Sequence, residues 1–168
     1  GARPARRGAP APGGAERQIV YTLTGLQRCR IESAQVLAYF LDATAEDRHD
    51  FYLSDLKAAG VPVRNIRRHI GEIDLDRLPV RLRGVHKALP PELIADIADL
   101  YWEFIDLRPE VVHSWLDNVN DRAAIAAALA GVPRIMVAGR NLNPSNFAFY
   151  QPHMDAAYKA LLDLPQVI

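Results

Sequence analysis

The chain has 168 residues, 49% of them hydrophobic, with 20 basic against 20 acidic side chains. That is enough for one α/β domain with a sizeable core, and it excludes a chain disordered throughout. Zero formal net charge argues against nucleic-acid binding by bulk charge, and the single cysteine, Cys29, excludes an internal disulfide and a cysteine-rich zinc site.

No apolar run approaches the length of a membrane span, and no apolar signal core follows the N-terminal arginines. A soluble, cytoplasmic protein is therefore expected. Residues 1–12 are only Ala, Arg, Pro and Gly, so a solvated tail is expected there. Gly13-Gly14 then opens a helix over about Ala15 to Gln27, with Ile19, Leu23 and Leu26 at helical spacing. Two glycines ahead of a helix leave its first N–H groups open to an anion, which the helix dipole favours. An ordinary turn is the plain alternative.

Ser33 to Leu41 reads as a strand ending at Asp42. An acidic residue in that place can hold a ribose in a dinucleotide-binding domain, but no GxGxxG precedes it. Glu46 to Ala59 reads as the next helix, stopped by Gly60, and Val61 to Ile66 as a short strand. Residues 64–87 form the most basic stretch, with Arg64, Arg67, Arg68, Arg77, Arg81, Arg83 and Lys87 beside His69 and His86. A solvated surface is the favoured reading of it, with an anionic ligand as the alternative.

Pro90-Pro91 starts an amphipathic helix through Asp106. Leu93, Ile94, Ile97, Tyr101, Phe104 and Ile105 form its apolar stripe, and Glu92, Asp96, Asp99 and Glu103 are expected to face outward. Then comes the organising stretch, Arg108 to Pro144. Val111–Trp115 reads as a strand, Asp121–Ala130 as a helix stopped by Gly131, and Arg134–Ala138 as a second strand. This is the βαβ unit of a parallel sheet, and ligands of such sheets sit beyond the carboxyl ends of the strands. Those ends are polar here: His113, Asp117, Asn118 and Asn120 after the first strand, and Arg140, Asn141 and Asn143 after the second. The expected picture is a dry helix between two wet loops. Gln151 to Leu162 reads as a last helix with Met154, Ala157, Tyr158 and Leu161 on one face, and Gln166-Val167-Ile168 as the beginning of another strand. A strand that begins and does not finish suggests a fragment. Alternating strands and helices predict an α/β layered domain with a mostly parallel sheet.

Two motifs carry a family resemblance. GGAERQ at Gly13 to Gln18, followed by an amphipathic helix, resembles the first loop of family-4 glycosyltransferases of the two-domain GT-B fold. RPEVVHSW…AALAGVPRIMVAGRNL, from Arg108 to Leu142, resembles a later βαβ segment of that family's N-terminal domain. The resemblance implies a Rossmann-like, mostly parallel sheet with flanking helices over residues 13–168, one half of a GT-B fold. It implies retaining transfer of a sugar from a nucleotide-sugar donor to a glycan or lipid-linked acceptor. The nucleotide sugar is a substrate, and no cofactor or metal is implied.

By the same resemblance Gly13, Gly14 and Ala15 face the donor diphosphate, while Glu16 and Arg17 are read mainly as first-turn helix residues. His113 is placed at the family's histidine, either hydrogen-bonding donor sugar or acceptor, or buried and satisfied by backbone. Asp117 joins it as a catalytic candidate, with helix entry as its plainer role. Asn118, Arg140 and Asn141 are placed on the acceptor. Two departures follow. The family's buried first strand has only the Ala/Arg/Pro/Gly tail in its place, and the C-terminal donor domain is absent, so the chain alone is expected to be inactive. A non-catalytic α/β module binding a glycan or an anionic ligand is the alternative, and a nicotinamide-dependent enzyme using Asp42 is a third reading. No nucleic-acid partner is expected, and the basic stretch leaves peripheral contact with the inner face of a membrane open.

Overall fold

The computed structural model describes residues 14–31, 36–38, 52–66, 74, 76, 78–84, 86–115, 117–139 and 152–168. It forms two compact units, Gly1–Asn65 and Ile66–Ile168. The described architecture is mixed α/β with parallel strand pairs and flanking helices, a pattern compatible with a Rossmann-like fold.

In the first unit α1 (Gly14–Arg28), β1 (Val36–Ala38), α2 (Leu53–Ala58) and β2 (Val63–Asn65) follow one another. β1 and β2 pair in parallel, Val36 opposite Val63. Buried Val20, Leu56 and Val61 form a small apolar cluster with Leu23, Tyr52, Ala59 and Val63 packed on it. The spacing of Val20 and Leu23 is what turns one stripe of α1 inward. The described parts of the expected strand at 33–41 and helix at 46–59 are β1 and α2; Asp42 lies outside the described residues. Gly60 ends α2 as expected. At φ +73° its N–H and that of Val61 reach back to the carbonyls of Lys57 and Leu56, closing the helix in a Schellman turn.

The second unit holds α3 (Val80–Arg83), a single 3₁₀ turn at His86–Ala88, α4 (Pro91–Leu107), β3 (Val111–Trp115), α5 (Asp117–Ala130), β4 (Arg134–Ala138) and α6 (His153–Leu162). β3 and β4 pair in parallel with Val112 opposite Ile135 and His113 opposite Met136. The other edge of β4 takes the expected last strand: Ile135 N–H donates to Gln166 O at 2.7 Å and Ile168 N–H to Ile135 O at 2.8 Å. α5 packs on both strands and on α4. The core is Leu93, Ile94, Ile97, Leu100 and Phe104 of α4, Val112, Ile135, and Ala123, Ala124, Ala126 and Ala127 of α5. Met154 and Leu161 bury the inner face of α6, as its spacing predicts.

Among the described residues the strands pair as β1 with β2 and β3 with β4. Three expectations are corrected. α5 begins one turn earlier than expected, at Asp117, because Asp and Asn are suited to a first helical turn and its packing on β3 carries the helix back to the strand end. Asp96, expected outside, is buried against Arg122. The helix between the strands is not dry: Asn120 and Asp121 are fully buried within it. Among the described residues no helix is long and apolar enough to cross a membrane.

Candidate functional site

In the first unit the candidate is the start of α1. Gly14 is exposed, and nothing lies within 4 Å of the point a Cβ would occupy. The first N–H groups of any helix lack intrahelical partners, so this end is accessible to an acceptor such as a phosphate oxygen. Arg17, one turn on, lines the same open groove with Gln18, Tyr21 and Thr22. Its Nε donates to the Tyr52 hydroxyl at 3.4 Å. That hydrogen bond, with the charges of Tyr52 and Tyr21, raises the pKa of Arg17 still further, so it is a permanent cation. Ala15 follows Gly14 in the helical backbone, and Gly13 lies outside the described residues.

In the second unit the candidate is the carboxyl end of the βαβ unit. One residue separates Trp115, the last of β3, from Asp117, the first of α5. Asp117 and Asn118 therefore stand on the first turn of α5 rather than in a loop. His113 is mid-strand, not at the strand end, because β3 runs two residues beyond it. It is exposed, not a buried core histidine: β3 alternates, and Val112 and Ser114 take the covered face. The His113 ring lies against Trp115, centroids 4.5 Å apart and planes tilted by 36°. Arg140 and Asn141 lie outside the described residues; Gly139, just before them, is exposed.

Behind this edge is a polar cluster. Arg122 Nε donates to Asp96 Oδ2 of α4 at 2.8 Å, and its Nη1 to Asp121 Oδ1 at 3.2 Å. The Asn120 amide Nδ2 donates to the carbonyl of Ala138, the last residue of β4, at 3.1 Å. Ser114 Oγ points to Met136 O at 3.5 Å, at the limit of a hydrogen bond. Among the described residues no group of His, Cys, Asp and Glu could hold a metal ion.

The chain is 27% identical over 172 aligned positions to the Vi polysaccharide biosynthesis protein VipC/TviE of Salmonella typhi. The similarity covers 95% of this chain and 30% of that protein. The chain is thus a distant relative of one stretch of a polysaccharide biosynthesis protein. No family model matches it, and neither does any solved structure.

Asp96, Asp121 and Arg122 were not among the expected site residues, and Asn120 was expected in a loop. One signal was present. Asn120, Ala123, Ala124 and Ala127 share the spacing of a single helical face, so burial of three predicts burial of the fourth. The pairing of Asp96 with Arg122 spans 26 positions, and no local pattern announces it. The basic stretch is partly engaged inside its own unit: Arg83 Nε and Nη2 donate to the carbonyls of Leu78 and Asp76, and His86 Nδ1 lies 2.7 Å from Arg83 O.

Proposed function

We propose that this chain is part of a glycosyltransferase of polysaccharide assembly, the Rossmann-like acceptor-side half of a GT-B enzyme. The observation that carries the reading is the similarity to a polysaccharide biosynthesis protein, which runs over 95% of the chain. The chain spans 30% of that relative's length, so the donor sugar, the acceptor and the activity of the whole protein belong to the proposal. Two local geometries support it. The open start of α1, with Arg17 beside it, suits the phosphates of a nucleotide sugar. Negative charge grows on a leaving diphosphate in sugar transfer, and helix N–H groups stabilise such charge without a metal. In this reading Gly13, Gly14 and Ala15 meet the diphosphate. Separately, the polar first turn of α5 at the end of β3 suits hydroxyl-rich ligands. Asp117 is assigned to the acceptor hydroxyl as its base or orienting group, and Asn118, Arg140, Asn141 and His113 to further contacts with sugar or acceptor.

Backbone amide NMR tests this reading. Titration with UDP-, GDP- and ADP-sugars is expected to move the amides of Gly14, Ala15 and Arg17 with one nucleotide and not the others. A dispersed spectrum in which those amides stay still at millimolar nucleotide sugar overturns the donor assignment.

A further inference from the structure

We infer that Asn120 is a positioning residue that locks together the two strand ends of the second unit. The inference takes its functional meaning from the acceptor-side reading above, and it goes beyond it by assigning a residue that touches no substrate. Asn120 is completely buried, and the next residues on its face of α5, Ala123, Ala124 and Ala127, are buried alanines. Its Nδ2 donates to the carbonyl of Ala138, while among the described residues its Oδ1 accepts nothing. A half-satisfied buried amide is destabilising compared with an apolar side chain of the same shape. The stability of the unit alone therefore does not account for an asparagine here.

Its location does. α5 leaves β3 after one residue, so the first turn of α5 is tied covalently to the carboxyl end of β3. The Asn120 side chain ties the same turn to the last carbonyl of β4. That carbonyl belongs to the peptide that leads into Gly139, Arg140 and Asn141. One amide thus sets the first turn of α5, with Asp117 and Asn118, relative to the end of β4. A buried side chain in a fixed rotamer holds this spacing without presenting a group to solvent.

The test is ¹⁵N relaxation on the full chain and on Asn120→Ala, with Asn120→Leu, nearly isosteric and without a donor, as the second variant. In the wild type Asp117, Asn118 and Gly139 should have order parameters of about 0.85, typical of rigid backbone, and in the variants below about 0.6. Ala123 to Ala130 and β3 should keep their wild-type values. The ¹⁵N shift of Gly139, whose peptide carbonyl loses its donor, should move in both variants. Unchanged order at Asp117, Asn118 and Gly139, or a uniform loss through the whole unit, overturns the inference; the second result would make Asn120 a general core residue. A wild type that ignores nucleotide sugars would instead overturn the donor assignment and leave this measurement standing.

Discussion

Arg122→Met is the most informative perturbation of the second unit. Arg122 bridges Asp96 of α4 and Asp121 of its own helix at 2.8 and 3.2 Å. The side chains of Asp96 and Asp121 are 8% and 0% exposed, whereas that of Arg122 is 23% exposed. Methionine keeps the apolar stem and removes the positive charge that pairs with both buried carboxylates. Breaking a buried pair in this way costs about 3–5 kcal/mol. Water reaching the partly exposed guanidinium screens the wild-type pair, so the expected loss is at the lower end, about 3 kcal/mol.

Both tryptophans, Trp102 and Trp115, lie in this unit, so their fluorescence during urea unfolding reports on it. With an m-value of about 2 kcal/mol/M, the midpoint should fall by about 1.5 M at unchanged slope. Asp96→Asn combined with Arg122→Met should be less destabilised than the sum of the two single changes by about 1 kcal/mol or more. A midpoint for Arg122→Met within about 0.3 M of wild type, or strict additivity, refutes the reasoning.

Three further outcomes follow from local geometry. Arg108 ends α4 in the left-handed region at φ +46°, and its N–H bonds to Phe104 O. Arg108→Gly relieves about 1–2 kcal/mol of steric cost and adds about 0.4–1 kcal/mol of unfolded-state entropy, so thermal unfolding should show a net gain of about 0.5–1 kcal/mol. A lower Tm would contradict it. Ala124 is fully buried where α5 packs on α4 and the strands, so Ala124→Leu should lose about 1–3 kcal/mol by overpacking, measured by the same urea assay. Gly14→Ala adds a methyl group into open space at the start of α1, so the fold should not suffer. If phosphates approach there, nucleotide-sugar binding by calorimetry should weaken by about fivefold, and unchanged affinity removes Gly14 from the donor contacts.

Much of the second unit was legible residue by residue. β3 and β4 fall on their expected bounds because each is a short apolar run set off by a proline-containing turn, Arg108-Pro109 before β3 and Gly131-Val132-Pro133 before β4. Gly60 and Gly131 end α2 and α5 at φ +73° and +74°, where glycine alone is unstrained. The end of α4 was less legible because Arg108, not glycine, takes the left-handed position there. The start of α5 was read too late because Asp117, Asn118, Asn120 and Asp121 suit a polar loop as well as a first helical turn.

The amino-acid sequence by itself determined the periodicities, the helix stops and the parallel βαβ order, because these depend on neighbours within a few positions. Only the tertiary structure decided that Asp96 and Asp121 are buried around Arg122, that Asn120 reaches the end of β4, and that His113 faces outward beside Trp115. The pairing of Asp96 with Arg122 and the reach of Asn120 to Ala138 join residues 26 and 18 positions apart, and which elements lie side by side at that distance is not set by local pattern.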